Sequence, residues 1–390
     1  MRGLRLSASA RSARSSVHVG LNLVFLVPGE TGGMEVAASE LIPALLSQAP
    51  AEMRFTAFIN REASAAGVQW RDLLPTVTVP VHARNRVQWV LGEQSLLVAL
   101  AARAGIDLVH SLASTAPLWG PFRRVVTIHD LIYARFPDAH SGLRDKGMRV
   151  LVPLAARRSD RVIADSHSTR GDLIEMLGLS PERIDVVPLG VAVQTRADAP
   201  AETETRARFE LGDRRVLLSL SAQRPHKNLA SLIGALGEIA PERRPLLVIP
   251  GYRTWHEREL RELAARAGVT DDVRFPGWIS ASEVEGLWAI ADAYVFPSLY
   301  EGFGLPVLEA MARGVPVACS DASSLPEVAG DAALLFDPRS QSGIAEAVLR
   351  ILEDEGLRER LRTLGRARAA LFTWELTARR TLESYARALS

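Results

Sequence analysis

The segment S-L-Y-E-G-F-G-L-P-V-L-E-A-M-A-R-G, residues 298–314, follows an apolar run at 293–297 that predicts a buried strand. Two glycines then interrupt the chain. Pro306 stands where a helix would begin, the following residues favour helix, and Gly314 is a typical stop after a helix. The segment therefore predicts a strand, a glycine-rich loop and a helix in succession.

The start of this helix and two nearby glutamates suggest binding chemistry. Unpaired N–H groups and the helix dipole at a helix start favour a bound anion, most often phosphate. Glu301 falls on the loop and Glu309 one turn into the helix. Because carboxylates beside a phosphate would repel it, we expect them to accept hydrogen bonds from sugar or ribose hydroxyls. From the segment alone, an ordinary loop with a solvated glutamate and a helix-face glutamate explains the pattern equally well.

On both sides of this segment, short apolar runs alternate with amphipathic helical stretches. The first apolar run is Val19–Pro28, and one polar segment, Gln194–Thr205, interrupts the alternation and indicates a linker. The alternation predicts parallel sheets covered on both faces. We therefore predict an α/β protein with two doubly wound, Rossmann-like parallel-sheet domains, a cleft between them, and ligands at the carboxyl ends of the strands.

Length and composition fit this architecture. A chain of 390 residues is long for one domain, and 47% hydrophobic with 23% charged residues is usual for a globular protein. The net charge of +1 does not favour nucleic acid as a partner. The single cysteine, Cys319, lies in an apolar run, which excludes a disulfide framework and indicates a core residue.

The first 16 residues are rich in Arg, Ser and Ala and have no apolar centre, so they do not resemble a secretory signal. We interpret them as a disordered extension in preference to a weak membrane-surface tether. No stretch is long and apolar enough to span a membrane. We expect a cytoplasmic protein, with peripheral contact at the inner membrane face left open.

Three further loops at predicted strand ends carry candidate site residues. Gly33 follows the first strand, where glycine permits close approach to a ligand, although the fingerprint G-x-G-x-x-G is not there. Arg224 and Lys227 lie three residues apart before a helix and can bind one anion together. His129 ends a V-V-T-I strand and would bring an imidazole to a sugar or acceptor hydroxyl. Each loop also has an alternative interpretation without a site: a tight turn at Gly33, a solvated basic turn at Arg224 and Lys227, and a structural histidine at His129.

A fourth loop holds Arg170 with Ser166 and Thr169, and there the arginine either reaches phosphate or caps its own helix. No H-x-x-x-H, paired-cysteine or D-x-D spacing indicates a metal site, and no G-x-S-x-G indicates a nucleophilic serine. The two cations of the 224–227 loop would supply positive charge, so we expect no metal.

The E-G-F-G-L-P-V-L-E run at 301–309 resembles the E-x7-E signature of the retaining family-four glycosyltransferases of GT-B fold, the glycosyl transferases group 1. The resemblance extends from about Val125 to the C-terminus, is very specific over 215–340 and is looser in the first 120 residues. Further matching runs are V-V-P-L-G-V (186–191) at the family's interdomain entry, R-P-H-K-N-L (224–229) at its diphosphate loop and V-R-F-P-G-W-I (273–279) at its base-reading turn.

The resemblance implies a role for each candidate residue. Arg224 and Lys227 would neutralise the donor diphosphate. Glu309 would accept from the ribose hydroxyls, and Glu301 would contact the donor sugar. The backbone N–H groups of Phe303, Gly304 and Leu305 would bind the sugar and phosphate. Gly33 would contact the phosphates, and His129 would lie near the reacting carbon. The backbone around Trp278 would contact the base.

The resemblance also assigns the parts of the chain. They are a disordered extension (1–16), an N-terminal acceptor-side Rossmann-like domain (17–193), a linker (194–207), a C-terminal nucleotide-sugar-binding Rossmann-like domain (208–371) and a C-terminal helix that crosses back to the first domain (372–390).

The implied reaction is retaining transfer of a hexosyl group from a nucleoside diphosphate sugar, GDP-mannose-like or a UDP-sugar. The acceptor would be a hydroxyl of a saccharide, a lipid-linked saccharide or a small molecule, with no metal or other cofactor. No carboxylate of the motif is placed for a double displacement, which favours front-face attack. The alternatives are a nucleotide-sugar epimerase or phosphorylase on the same fold, and a non-catalytic glycosyltransferase-like partner subunit.

Two departures from the family pattern affect these assignments. Arg224 lies closer to Lys227 than the corresponding pair does in many members, and the loop 29–33 carries an additional polar residue, Glu30.

Overall fold

The computed structural model describes residues 16–68, 70–136, 143–192 and 198–390, without the side chains of 143–146. All but the last residue of the expected extension (1–16) therefore lies outside the described residues, as do residues 194–197 of the expected linker. A helix at 202–208 occupies the end of that linker segment. The domain bounds expected from the sequence stay a prediction.

Two parallel sheets form the framework, which confirms the predicted fold class. The strands of the first sheet are β1 (Val17–Leu23), β2 (Met53–Ile59), β3 (Thr76–Thr78), β4 (Leu108–Ser111), β5 (Arg123–Ile128), β6 (Arg161–Ala164) and β7 (Ile184–Val186). Those of the second are β8 (Val216–Leu218), β9 (Leu246–Pro250), β10 (Val273–Gly277), β11 (Ala293–Phe296), β12 (Val317–Ser320) and β13 (Ala333–Phe336).

The strand orders are β3-β2-β1-β4-β5-β6-β7 and β10-β9-β8-β11-β12-β13. In each sheet the chain starts in the interior, builds towards one edge and then returns to build towards the other. Such a reversal creates a ligand position at the carboxyl ends of the strands beside it, here β1 and β4 in one sheet and β8 and β11 in the other.

Helices follow most strands, as the alternating sequence pattern predicts. They are α1 (Gly33–Gln48), α2 (Arg61–Ala66), α3 (Arg86–Leu91), α4 (Leu97–Arg103), α5 (Ile132–Arg135), α6 (Leu143–Arg158), α7 (His167–Leu177), α8 (Glu202–Arg208), α9 (Leu229–Glu238), α10 (His256–Arg266), α11 (Ala281–Ile290), α12 (Leu305–Ala312), α13 (Leu325–Ala329), α14 (Gln341–Glu353), α15 (Glu355–Ala369) and α16 (Trp374–Leu389). A π-helical turn at 92–96 separates α3 from α4.

The chain divides into two compact units. One comprises residues 1–127, 154–162 and 381–390, and the other comprises 128–153 and 163–380. The second unit therefore contains the whole second sheet together with the chain that directly follows β5 and the last two residues of β6. His129 and the 301–309 loop belong to this same unit.

Alternate residues of the second sheet pack on opposite faces. Leu217 and Val295 join the core cluster formed with α9 and α14. Leu218 and Phe296, one position further along, join the cluster formed with α12. Burying a side chain of this size stabilises the fold by about 1.5–3 kcal/mol, so both faces fix the register of the strands and the positions of the loops at their ends.

The first strand is shorter than the apolar run that predicts it. β1 ends at Leu23, five residues before Pro28, because Leu26 N donates to the Leu23 carbonyl and turns the chain, although the apolar residues beyond remain buried. The cap of α11 is Ser280, whose hydroxyl accepts from Glu283 N while the Glu283 carboxylate accepts from Ser280 N.

Candidate active site

A 3-10 turn, Pro225–Lys227, follows β8 in the chain and positions the two predicted cations. Arg224 directly precedes the turn, and Lys227 is its last residue. Lys227 N donates to the Arg224 carbonyl at 3.0 Å. The Lys227 Nζ lies 2.6 Å from Glu301 Oε1, and these side chains are only 16% and 10% exposed. Arg224 is half-buried at the start of the turn. The structure therefore brings Lys227 directly to the first glutamate of the glycine-rich loop.

Asn228 fastens this turn to the end of β11. Its backbone has φ 56°, a left-handed conformation that asparagine tolerates better than most residues. Its Nδ2 donates to the carbonyls of Pro297 at 3.0 Å and Pro338 at 2.7 Å. Leu299 N also donates to the His226 carbonyl at 2.8 Å. Sequence reasoning gave Asn228 no role, although an asparagine between a 3-10 turn and a helix is a usable signal.

Two serines before α13 hold the backbone of the glycine-rich loop. Ser324 Oγ donates to the carbonyls of Glu301 at 3.0 Å and Phe303 at 2.6 Å. Ser323 Oγ accepts from Glu301 N at 2.8 Å. Because the C=O and N–H of one peptide plane point in opposite directions, the anchored Phe303 carbonyl turns the N–H of Gly304 away from Ser324. No sequence signal identified these serines beyond their place in S-S-L-P-E-V.

The N–H groups of Phe303, Gly304 and Leu305 donate to no acceptor within the part of the chain that the structure describes. Gly304 has φ 110° and is the N-cap of α12, and Pro306 is the second residue of the helix. A helix start with three such amides is suited to bind an anion, as the sequence predicts.

His129 lies against the same loop. A Cβ added to Gly302 would be 1.8 Å from the His129 carbonyl oxygen, so no larger residue fits there. The Gly302 carbonyl accepts from Ser166 Oγ at 2.6 Å and from Thr169 Oγ1 at 3.0 Å. The structure thus brings together the segments that follow β5, β6 and β11.

Charged groups concentrate around His129. His129 Nδ1 lies 2.7 Å from Asp165 Oδ2, and the Asp165 side chain is 2% exposed. The next residue, Asp130, accepts from Ile132 N at 2.9 Å. Burial raises the pKa of Asp130 and the negative charge of Glu301 adds to this, whereas the Ile132 N–H and nearby positive charge oppose it. Asp165 was not identified from the sequence, where nothing distinguishes it from a residue before a helix cap.

Glu309 lies in the first half of α12, and its carboxylate makes no hydrogen bond or ion pair with the residues that the structure describes. Burial raises the pKa of Glu309, while the positive Arg313 lowers it and the negative Glu285 raises it. Arg313 itself pairs with Glu285 at 2.5 Å. A half-buried carboxylate without a protein donor is able to accept from ligand hydroxyls.

Trp278 follows β10 and is 65% exposed. Its ring stacks on Tyr252 with a centroid distance of 4.3 Å and an interplanar angle of 25°. Gly33 is the first residue of α1 and belongs to the other unit. Arg170 donates to the Pro181 carbonyl at 3.4 Å, and the cap of α7 is Ser166. Of the two alternatives for Arg170, the helix cap is therefore wrong, and phosphate binding stays a prediction.

In the residues that the structure describes, no three His, Cys, Asp or Glu side chains group as metal ligands. A search of the same residues finds no helix with the length and hydropathy of a membrane span.

Comparisons with known proteins place this chain in a family. Residues 201–368 match the family described as Glycosyl transferases group 1, and residues 31–195 match Glycosyltransferase Family 4. The O-antigen chain mannosyltransferase B of Escherichia coli is 32% identical over 266 residues, which cover 67% of this chain and 70% of that protein. The chain belongs to the glycosyl transferases group 1.

Solved structures show the same fold for this glycosyltransferase. Sucrose-phosphate synthase from Thermosynechococcus elongatus superposes with a TM-score of 0.78 at 22% identity, covering 95% of this chain and 98% of the other. Anabaena HepE in complex with UDP-glucose superposes with a TM-score of 0.74 at 20% identity, covering 95% and 99%. These similarities confirm the GT-B architecture expected from the sequence.

Proposed function

We propose that this glycosyltransferase moves a hexosyl group from a nucleoside diphosphate sugar to an acceptor hydroxyl with retention of anomeric configuration. Its donor is GDP-mannose-like or a UDP-sugar, and its acceptor is a saccharide, a lipid-linked saccharide or a small molecule. It requires no metal, because the chain's own cations and amides balance the diphosphate charge. A cytoplasmic location stays a prediction, and peripheral membrane contact stays an open alternative.

The observation that carries the proposal is the contact of Lys227 with Glu301, on the loop that leads into α12. Lys227 Nζ reaches Glu301, three residues before the helix cap Gly304. The amides of Phe303, Gly304 and Leu305 lie on the intervening loop and the first helical position, without acceptors in the described chain. An ammonium and a row of amides at one helix start favour a diphosphate over a single small anion.

These groups would act mainly on the leaving diphosphate. The bond between the sugar C1 and the diphosphate oxygen breaks, and a bond from the acceptor oxygen to C1 forms on the same face. The acceptor proton passes to the departing diphosphate oxygen. Lys227, Arg224 and the amides stabilise the negative charge that grows on the diphosphate, and one such donor typically contributes about 3 kcal/mol.

The other site residues orient the donor. Glu301 binds a hydroxyl of the transferred sugar, and Glu309 accepts from the ribose hydroxyls. The backbone beside Trp278 contacts the base, and Gly33 approaches the phosphates. The contact of His129 with the glycine-rich loop supports a position for this residue near C1.

The identity of the donor is supported by the relatives. The Escherichia coli protein is named a mannosyltransferase, and the Anabaena protein was solved with UDP-glucose. A hexose on a nucleoside diphosphate satisfies both. GDP-mannose is the first donor to test because its group transfer is the one named for the relative at 32% identity.

The proposal is tested by incubating the purified chain with GDP-mannose or UDP-glucose, a panel of saccharide and lipid-linked acceptors, and a chelator. We expect product whose new linkage has the donor's anomeric configuration by NMR, with rates unchanged by the chelator. Nucleotide release that needs the acceptor argues against an epimerase. A product of inverted configuration would contradict retention, and magnesium-dependent rates would contradict independence from metal. No transfer with any donor would contradict the proposed glycosyl transfer itself.

A further inference from the structure

The loop between β6 and α7 contacts both halves of the proposed site. Asp165 accepts at its Oδ2 from His129 Nδ1 at 2.7 Å. The next residue, Ser166, donates to the Gly302 carbonyl at 2.6 Å. Thr169 bonds the same carbonyl at 3.0 Å and the His129 carbonyl at 3.3 Å. One short segment therefore fixes the imidazole of His129 and the glycine-rich loop relative to each other.

The environment of Asp165 is unfavourable for a residue that only stabilises the fold. Its side chain is 2% exposed, and its second oxygen, Oδ1, has no hydrogen-bond partner among the described residues. Burying a carboxylate with one oxygen unsatisfied costs stability, and apolar residues of similar volume often replace buried ion pairs without loss. The fold alone gives no reason for a carboxylate at this position.

The geometry instead determines the state of the imidazole. A carboxylate at 2.7 Å from Nδ1 accepts a proton from that nitrogen, because two acceptors at this distance would repel. In the neutral ring, Nε2 then has no proton and is a hydrogen-bond acceptor. The His129 side chain is 17% exposed, so its ring is not sealed in the core.

We propose that Asp165 is a positioning residue that holds His129 in the Nδ1–H tautomer, which makes Nε2 the hydrogen-bond acceptor of the neutral ring during transfer. The role in transfer rests on the proposed function. The tautomer itself follows from the His129–Asp165 contact and is independent of the reaction.

Other charged groups act on the same site and must be kept constant in a test. Asp130 follows His129 in the chain, and its electrostatic environment includes His129, Glu301 and Lys227. The test therefore changes Asp165 alone. Asp165→Asn keeps an oxygen that accepts from Nδ1 but removes the charge, whereas Asp165→Ala removes both.

Imidazole ¹⁵N NMR of the full chain, assigned with a His129→Gln variant, measures the tautomer without donor or acceptor. We expect Nδ1–H in the wild type and in Asp165→Asn, and a shift towards Nε2–H in Asp165→Ala. We expect kcat to fall at least about 10-fold in Asp165→Ala with partial recovery in Asp165→Asn, and the pH–rate profile of Asp165→Asn to shift to lower pH because the imidazolium loses its anionic partner.

Asp160→Asn is the matched control. Asp160 lies at the opposite end of β6, where its Oδ2 accepts from Arg124 N at 2.8 Å. This variant should therefore leave the His129 tautomer and the pH–rate profile unchanged. An Nε2–H tautomer in the wild type, or an unchanged tautomer and kcat in Asp165→Ala, would overturn the inference. A confirmed tautomer in a chain that transfers no sugar would contradict the proposed function alone. If Asp165→Ala does not fold, Asp165→Asn provides the test. An unshifted pH–rate profile in Asp165→Asn would also contradict the inference.

Discussion

Lys227 and Glu301 form an ion pair, with 2.6 Å between Nζ and Oε1, at the carboxyl edge of the second sheet. The Lys227 ammonium also lies 5.2 Å from the centre of the Phe296 ring, so it is held from two sides. Because Glu301 already accepts from the ammonium, a donor diphosphate bound as we propose would compete with Glu301 for the same charge. This competition distinguishes the pair from an ordinary ion pair and leads to separate predictions for each partner.

Lys227→Met should lower the free energy of unfolding by about 1–3 kcal/mol, because it leaves the largely buried Glu301 carboxylate without its partner. The double variant Lys227→Met/Glu301→Gln should recover most of that loss, since no unpaired charge remains, yet it should stay inactive. Urea unfolding and a transfer assay measure the two quantities. Lys146→Met is the matched control, because Lys146 is the other lysine of the chain. Recovery of both stability and transfer in the double variant would contradict the assigned role.

Gly302→Ala should disrupt the site, because the added methyl group would lie 1.8 Å from the His129 carbonyl oxygen and neither backbone can move freely. We expect a loss of at least about 1–3 kcal/mol in the free energy of unfolding, together with a loss of transfer. Gly171→Ala is the control: it lies within α7 with no atom within 4 Å of the new Cβ, and should stabilise the chain by up to about 1 kcal/mol. Thermal unfolding of both variants compares them, and equal behaviour would show that the close approach is not rigid.

Glu309→Ala should lower kcat/KM at least about 100-fold, since two ribose hydroxyls would lose a charged acceptor. The fold should persist, because the carboxylate has no hydrogen-bond partner among the described residues. Glu285→Gln serves as the comparison: it breaks a pair with Arg313 at 2.5 Å and should change stability more than donor affinity. Near-wild-type kcat/KM in Glu309→Ala would remove Glu309 from the binding site.

Stability of the first unit should depend on pH through Glu93. This carboxylate is buried within the π-helical turn and accepts from Asn22 Nδ2 at 2.8 Å and Thr115 Oγ1 at 3.1 Å. Burial raises its pKa to about 7, with these donors opposing the shift. The folded state then holds a proton that the unfolded state has lost, so stability is fully present below pH 4.5 and decreases as pH rises to about 7.

Glu93→Gln should flatten this slope and stabilise the chain at pH 8 relative to the wild type. Thermal unfolding between pH 5.5 and 8 measures it. Glu283→Gln is the control, because the Ser280 N–H and the other donors around Glu283 lower its pKa and it is ionised throughout this range. A Glu93→Gln slope equal to that of the wild type would show that Glu93 titrates normally.

The sequence predicted the sheets and the central loop because both have strong local signals. The apolar run Ala293–Phe296 packs on both faces of its sheet, and Gly304 and Pro306 mark a helix start. The sequence also named Lys227 and Glu301, which lie 74 positions apart, because both follow strands that a doubly wound sheet places side by side.

What the sequence did not show are side chains whose roles depend on distant backbone. Ser324 is recognisable only once its hydroxyl meets the carbonyls of Glu301 and Phe303. Asp165 is recognisable only once β6 lies beside β5 and brings it to His129. Neither residue type nor spacing carries this information, since a serine before a leucine-proline pair or an aspartate before a helix cap occurs in many turns.

We propose that Lys227 binds the donor diphosphate and that Glu301 competes with the diphosphate for the Lys227 ammonium. Isothermal titration of GDP and UDP into the wild type, Lys227→Met and Glu301→Gln tests this most directly. We expect the affinity to fall at least about 10-fold in Lys227→Met and to stay equal or rise up to about 5-fold in Glu301→Gln, which frees the ammonium. Equal nucleotide affinity in Lys227→Met and the wild type would contradict the role of Lys227. Weaker nucleotide binding in Glu301→Gln would contradict the competition by Glu301.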